Sequence, residues 1–361
     1  MNVVKATARF EQWLASHTPL VESDLHLKHR KMAETVFQFL RATFYRWVQI
    51  WPEVCPDLAK APSSLSVGDL HVENFGTWRD VEGRLIWGVN DFDEANIFAY
   101  TNDLVRLATS TFLAIEEGHL AVKPKDVCSE ILDGYRKSLV EGGHPFVLEE
   151  DNQWLRQIAL SELRDPEQFW KKMDSLPSVA GEISPSARDA LEHLLPHRGL
   201  KYRLARRVAG LGSLGHVRLV ALAEFCGGKI AREAKSLAPS PVYWAWGLHG
   251  PFEIPYQVIL SRAVRCPDPF VQLRGRWIVR RLSPHCSRIE LAVLGTSSEQ
   301  CRLLFSMGWE TANIHLCTPE AAKSIRKHLE RQKPAWLYAA SMGMAEAVRK
   351  DWQAWQKSGL T

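Results

Sequence analysis

The sequence lacks any apolar run of the roughly 20 residues that a membrane-spanning helix requires, because charged residues interrupt each longer hydrophobic stretch. Its first segment, MNVVKATARFEQWLASH, carries polar and charged residues where a signal peptide would have its apolar region. We therefore expect no membrane association and a cytoplasmic location.

Paired cysteines and an excess of one charge are also missing. The seven cysteines are scattered, odd in number and form no CxxC motif, which indicates free thiols in a reducing compartment. The 45 Lys and Arg residues nearly balance the 41 Asp and Glu residues, so the formal net charge is only +4. This charge is too small for the basic footprint of a duplex-binding protein, and we expect no nucleic-acid partner.

The chain contains enough apolar sequence for a large core, because 46% of its 361 residues are hydrophobic. Apolar residues at helical spacing predict one long helix over 28–51, and a double glycine at 227–228 between alternating segments predicts a β-hairpin. Residues 277–282 form another strand candidate, and Thr318-Pro319 predicts a helix start.

These patterns predict an α+β protein in which a β-rich segment interrupts two helical ones. We expect a helical lobe with a helical insert over 1–199, a β-rich lobe over 200–285, and C-terminal helices over 286–361 that complete the helical lobe. The outer segments should therefore pack against each other. The sequence gives no indication of the oligomeric state.

The densest chemistry lies in GDLHVENFG (68–76) and NDFDE (90–94). Asp69 precedes Asn74 by five residues, and Asp91 follows Asn74 by 17, after the apolar strand LIWGV. Phosphoryl transfer needs a carboxylate to orient or deprotonate a hydroxyl, and Asn and Asp oxygens to hold Mg²⁺ on the phosphates. The alternative is that these acids cap turns and bind nothing, and the two spacings together favour the phosphoryl-transfer site over it.

We therefore assign Asp69 as the expected catalytic base and include His71 in the same catalytic loop. Asn74 and Asp91 are the expected metal ligands, with Asp93 as a third. A less favoured alternative is a metallophosphoesterase, because GDLH is similar to a GDxH metal motif, although the further GNH-type ligands of that class are missing from the sequence.

A glycine-rich segment, GLGSLG, supplies the second expected half of the site through Gly210, Gly212, Ser213 and Gly215. A dinucleotide-binding loop would open into a helix, whereas here the following residues, HVRLVALAEF, alternate as a strand does. A glycine loop between two strands is typical of the phosphate-covering flap of a kinase. We expect its backbone to approach phosphate groups.

A cation on the third strand of such a lobe would hold the phosphates. The strand GGKIAREAKS offers Lys229, Arg232 and Lys235. Arg232 falls where the lysine of a kinase VAIK strand would lie, and Lys235 would take the role if the strand were bulged. An arginine at that position keeps the charge but changes the geometry.

The acidic segments resemble the catalytic loop of small-molecule kinases, which has the form GDLHxxN. Asp103 in TNDLVRL resembles the Asp of their YDLA-type segment, and we expect it, with Arg41, to support the site. The chain as a whole, over roughly 28–320, resembles the bacterial family of unknown function DUF2252. The motifs that carry this resemblance are FQFLRATFYRW, GDLHVENFGTWRD, GVNDFDEA, YTNDLVRLATS, GLGSLG, IAREAK and WIVRRLSP.

The resemblance implies a bilobal protein-kinase-like fold. Because the catalytic-type segment precedes the glycine loop, that fold would be circularly permuted, with the β-rich nucleotide lobe inserted after the catalytic loop. The expected function is an ATP- and Mg²⁺-dependent phosphotransferase that acts on a hydroxyl of a small molecule. A catalytically silent nucleotide-binding module and a nucleotidyl (AMP) transferase remain as alternatives.

Overall fold

The structure is a computed structural model that describes residues 1–150, 152–161, 165–179, 181–249, 251–284, 286 and 296–360. It is 49% helix and 15% strand, which confirms the mixed α+β class. The predicted lobe boundary at residue 285 lies outside the described residues. Over the part of the chain that is described, no helix is both long and apolar enough to cross a bilayer.

Helices occupy both ends of the chain and its middle. Their bounds are α1 (Val3–Ala15), α2 (Glu22–Glu34), α3 (Val36–Ala42), α4 (Phe44–Val54), α5 (Thr101–Glu116), α6 (Pro124–Glu141), α7 (Gln153–Ser161), α8 (Pro166–Asp174), α9 (Pro185–His193), α10 (Val242–Ala245), α11 (Tyr256–Arg262), α12 (Ser297–His315), α13 (Pro319–Glu330) and α14 (Trp336–Gln356). The predicted start after Thr318 is confirmed by α13.

Strands fall into two groups along the chain, one before α7 and one between α9 and α12. Their bounds are β1 (Ser63–Ser66), β2 (Phe75–Arg79), β3 (Leu85–Val89), β4 (Asn96–Ala99), β5 (Phe146–Val147), β6 (Arg203–Arg206), β7 (Arg218–Phe225), β8 (Gly228–Ser236), β9 (Gln272–Arg274) and β10 (Trp277–Leu282). The predicted strand over 277–282 is confirmed by β10.

The second group of strands forms one antiparallel sheet in the order β6-β7-β8-β10-β9. The predicted hairpin joins β7 to β8 through Cys226 and Gly227, both with positive φ, as a two-residue turn requires. Two smaller antiparallel sheets, β1-β4 and β2-β3-β5, carry the acidic segments at their strand ends.

The single helix predicted over 28–51 is wrong, because the chain breaks there twice. Thr35 has extended backbone angles and its hydroxyl accepts from the Gln38 amide, so it ends α2 and caps α3. Thr43 separates α3 from α4, and its hydroxyl donates to the Phe39 carbonyl. The apolar period runs through both threonines, and their local hydrogen bonds set the breaks.

The two helical ends of the chain pack against each other through α6 and α12. Two glycines allow this close approach: a Cβ at Gly134 would lie 1.9 Å from the Phe305 carbonyl oxygen, and one at Gly308 would lie 2.0 Å from that of Ile131. Both obstacles are helix backbone, which cannot move aside as a flexible side chain can. The contact therefore joins residues on either side of the β-rich segment into one core.

We expect Gly308→Ala to destabilise the protein by about 1–3 kcal/mol, because the added methyl group must push α12 away from α6. The free energy of unfolding from urea titration measures this loss.

Gly343→Ala in α14 is the matched control. Its Cβ would meet only the Val54 Cγ1 atom at 3.4 Å, so the ordinary helical preference for alanine should raise stability by up to about 1 kcal/mol. If Gly308→Ala is as stable as the wild type, the close contact between α6 and α12 is not a constraint.

Candidate functional site

The two acidic loops lie side by side, each at the end of a strand. Asp69 follows β1, and Asp91 follows β3. The Asn74 side-chain amide donates to the backbone carbonyls of both, at 3.2 Å to Asp69 and 3.1 Å to Asp91. Asn74 therefore joins the loops, and the spacing seen in the sequence corresponds to one connected structure.

The turn before Asp69 depends on a glycine. Gly68 has φ +81°, and a Cβ there would lie 2.3 Å from the backbone oxygen of Glu94. A side chain would thus be strained by conformation and blocked by the neighbouring acidic loop.

Asp103 holds this turn from α5. Its carboxylate accepts hydrogen bonds from the backbone amides of Val67 (2.7 Å) and Gly68 (3.0 Å). His315 Nε2 lies 3.1 Å from the same carboxylate, and His315 Nδ1 lies 2.7 Å from the Tyr135 hydroxyl. Asp103 and His315 are buried, so the contacts link the loop to α12 and α6 without solvent. The supporting position that the sequence suggests for Asp103 agrees with these contacts.

Arg106 contacts Asp69 directly and is a site residue that our sequence analysis missed. Its Nε donates to Asp69 Oδ1 at 2.7 Å, and its Nη2 donates to the same oxygen and to the Leu40 carbonyl. The guanidinium is buried between the rings of Phe44 and Trp47, 4.9 Å from each. Arg106 is the one basic residue of α5 and lies three residues after Asp103, and this position is the signal that could have revealed it.

Burial raises the pKa of Asp69 above its ordinary value, and the positive charge of Arg106 opposes that rise. The carboxylate is therefore held in one orientation and is less acidic than an exposed aspartate.

Lys235 on β8 reaches the second acidic loop. Its buried Nζ lies 3.3 and 3.1 Å from the two carboxylate oxygens of Asp91 and forms an ion pair with Asp93. Burial alone would raise the pKa of Asp91, but Lys235 and Arg280 hold it below the ordinary value. Burial and the neighbouring Asp91 charge raise the pKa of Asp93 to about 7. Asp91 and Asp93 are the same residue type, so the difference between their pKa values comes from their surroundings.

The glycine segment lies directly over the first acidic loop. A Cβ at Gly212 would lie 3.5 Å from Asp69 Oδ2 and 3.2 Å from the Arg41 carbonyl oxygen. Lys28 Nζ donates to the Gly212 carbonyl at 3.0 Å. Ser213 accepts a hydrogen bond from Arg218. Gly212 and Asp69, which are about 140 positions apart in sequence, therefore face each other.

One cleft of about 1470 Å³, including its open mouth, contains most of the predicted site residues. The predicted residues that line it are Arg41, Asp69, His71, Asn74, Asp91, Asp93, Gly210, Gly212 and Ser213. Arg41 Nη1 pairs with Glu73 at 2.7 Å, and the Glu73 amide donates to His71 Nδ1. Arg41 thus contacts the loop that carries Asp69 through the Glu73 carboxylate.

Four of the predicted site residues do not line the cleft. Asp103 and Lys235 are buried and contact its loops, whereas Gly215 and Arg232 face other parts of the protein. Gly215 packs on Leu25, which a Cβ there would approach to 2.6 Å. Arg232 donates to the Leu194 carbonyl at 2.9 Å and lies 4.8 Å from the Phe270 ring centroid. Because side chains alternate along a strand, Arg232 shares with Ala234 the sheet face that α9 covers, whereas Lys235 shares the cleft face with Glu233.

The described residues contain no group of three or more His, Cys, Asp or Glu side chains that could hold a metal ion among themselves. The oxygens predicted as metal ligands nevertheless lie together, since Asn74, Asp91 and Asp93 all line the cleft. Asp93 Oδ1 is buried and has no hydrogen-bond partner among the described residues.

Glu310 of α12 positions the strand that leads to Asp91. Its carboxylate accepts from the Val89 amide at 3.1 Å and from Asn313 Nδ2 at 2.8 Å. A Cβ at Gly88 would lie 2.4 Å from Glu310 Oε1, so a side chain at this position would displace the Glu310 carboxylate. Burial raises the pKa of Glu310 to about 7.

We expect the contribution of Glu310 to stability to fall as the pH rises from about 4.5 to 7. The unfolded chain releases this proton near its ordinary pKa of 4.5, whereas the folded protein keeps it until about 7. The stability of wild type relative to Glu310→Gln should therefore drop by about 3 kcal/mol over this interval. Urea titrations at several pH values measure it.

Glu346→Gln, at an exposed residue of α14, should show no such difference. A wild-type advantage over Glu310→Gln that is constant between pH 4.5 and 7 would contradict the assignment.

One family model matches part of the chain. Residues 20–175 match the family described as "Uncharacterized protein conserved in bacteria (DUF2252)". No curated protein and no solved structure matches the chain. The matched segment includes both acidic loops, Asp103 and Arg106, whereas the glycine segment and Lys235 lie beyond it. The part of the chain that builds the acidic side of the cleft therefore carries the sequence pattern of the DUF2252 family.

Proposed function

We propose that the protein is an ATP- and Mg²⁺-dependent phosphotransferase of kinase-like architecture that acts on a hydroxyl group of a small molecule. One observation carries this proposal: Asp69, Asp91, Gly212 and Lys235, which come from distant parts of the sequence, all border or reach one cleft. This combination matches the parts that phosphoryl transfer uses, namely a carboxylate for the nucleophile, metal-binding oxygens, a glycine loop and a lysine.

Asp69 is the residue that would accept the hydroxyl proton. Its contact with Arg106 sets the orientation of the carboxylate, and its raised pKa moves it toward the range in which a general base is effective. Gly212 closes over it, so an acceptor hydroxyl would approach from the open side of the cleft.

Asp91 and Asn74, with Asp93, would hold Mg²⁺. The donor set is all oxygen, as this ion prefers, and the buried Asp93 Oδ1 without a partner fits a ligand role. Mg²⁺ commonly uses one or two carboxylates and completes its shell with phosphate and water, so a cluster of three protein acids is not required. When bound, the ion neutralises charge on the phosphates.

Of the three candidate cations on β8, Lys235 best fits the role of holding the phosphates. Lys229 lies at the exposed start of β8 and pairs with Asp174, and Arg232 faces α9. In protein kinases the corresponding lysine pairs with a glutamate; here the partners of Lys235 are two aspartates of the acidic loop. Arg232, at the position of the kinase lysine, therefore lies outside the cleft.

We expect Asp69→Asn to reduce transfer from ATP by at least about 100-fold, because the amide cannot accept the hydroxyl proton. The measurement uses ATP labelled at the γ-phosphate, with a small-molecule cell extract as the acceptor pool and Mg²⁺ present. Asp133→Asn, at an exposed residue of α6, is the control and should retain full activity.

ATP labelled at the α-phosphate distinguishes phosphoryl transfer from the two alternative functions. Transfer of the α-label would indicate nucleotidyl transfer, and calorimetric binding of ATP without transfer of either label would indicate a silent binding module. Unchanged turnover in Asp69→Asn would reject Asp69 as the base.

A further inference from the structure

A second charged cluster lies on the sheet side of the cleft, and the proposed mechanism does not use it. Glu233 of β8 pairs with three arginines: Arg207 Nη1 at 2.5 Å, Arg218 Nη1 at 3.1 Å and Arg280 Nε at 3.9 Å. All four side chains line the same cleft as Asp91.

The register of the sheet places this cluster beside Lys235. Glu233 lies opposite Arg280 on β10, and Lys235 lies opposite Arg218 on β7. Directly paired residues of antiparallel strands point to the same face, so these four side chains share the face toward the acidic loops. Arg207 joins them from the segment just after β6.

The cluster carries more positive than negative charge. Within these four side chains, three guanidinium groups and one carboxylate give a formal excess of +2 (3 − 1), and the neighbouring Asp91 and Asp93 carboxylates also interact with Arg280. Burial alone would raise the pKa of Glu233, but Arg207, Arg218 and Arg280 lower it to about 2, so the carboxylate stays charged. Buried charge of this kind is costly unless it is matched by a partner of opposite sign.

Several donor atoms of this cluster lack a hydrogen-bond acceptor in the part of the chain that the structure describes. The Arg218 side chain is only 7% exposed, yet its Nε has no hydrogen-bond acceptor among the described residues. Over the same part of the chain, the Nε and Nη2 atoms of Arg280 also have none. Because buried donors are normally satisfied, these atoms indicate an anionic ligand that carries several acceptor oxygens.

We propose that Arg207, Arg218 and Arg280 form a phosphate-binding site on the sheet side of the cleft, and that Glu233 partly neutralises the three guanidinium groups when no anion is bound. The proposal rests on the proposed function in taking phosphate as the ligand. The phosphate could belong to the triphosphate of the donor nucleotide or to a phosphorylated acceptor. The adjacency of Arg218 to Lys235 favours the donor.

The test is calorimetric binding of inorganic tripolyphosphate to the full chain, at low salt and without Mg²⁺. We expect the double variant Arg218→Met, Arg280→Met to weaken binding at least 30-fold, because both charge-assisted contacts are lost. Lys229→Met removes one positive charge, against two in the double variant, from the exposed start of β8, and it should change the affinity less than threefold. Thermal unfolding of each variant shows whether it is folded.

Glu233→Gln keeps all three arginines and raises the formal excess from +2 to +3, so we expect it to bind tripolyphosphate more tightly than the wild type. This variant keeps the test decisive if the arginine variants do not fold. No binding by the wild type, equal binding by the folded double variant, or weaker binding by a folded Glu233→Gln would each overturn the proposal.

Competition identifies the source of the phosphate. If ATP displaces tripolyphosphate and adenosine does not, the site binds the donor triphosphate; if tripolyphosphate and ATP bind together, the site belongs to a phosphorylated acceptor. Both results support a phosphate site. Because this binding needs no turnover, it can succeed where the Asp69→Asn assay finds no transfer, and the two proposals fail independently.

Discussion

The geometry of the cleft depends on one ion pair, in which the buried Lys235 amine meets the partly exposed carboxylates of Asp91 and Asp93. A buried charge that loses its partner costs about 3–5 kcal/mol, so the strand that carries Lys235 and the loop that carries the aspartates are held at contact distance. This pair links the five-stranded sheet to the acidic side of the cleft. With the sheet anchored in this way, the glycine segment before β7 lies over Asp69.

A single helix, α5, controls the other acidic loop. Asp103 binds the backbone amides before Asp69, and Arg106, one helical turn later, binds the Asp69 carboxylate itself. Gly68 allows the turn because the neighbouring backbone leaves no room for a Cβ. The Asp69 side chain, the backbone before it and the turn at Gly68 are thus all restrained by contacts within the protein. A site that acts through fixed charges requires pre-organisation of this kind.

The five-stranded sheet has two chemically different faces, and this difference decides which cations are available to the cleft. The apolar residues of α9 cover the face that carries Ala234, so Arg232 is directed to the Leu194 carbonyl and the Phe270 ring. The opposite face presents Glu233 and Lys235. A shift of one residue along β8 would exchange the residues that face the cleft with those that face α9. The charge of a residue therefore does not show by itself whether that residue can bind a ligand in the cleft.

The sequence by itself determined the local features: the α+β class, the hairpin at 227–228, the start of α13, and the two acidic segments with their glycine partner. These depend on residue type and short spacing, which act over a few neighbouring bonds. The tertiary structure alone decided which face of the sheet carries Lys235 and which carries Arg232, and it decided the contacts of Glu233 with its three arginines. Both depend on which face of a strand is covered by residues far away in the chain. Such coverage results from packing of the whole molecule, so no local pattern encodes it.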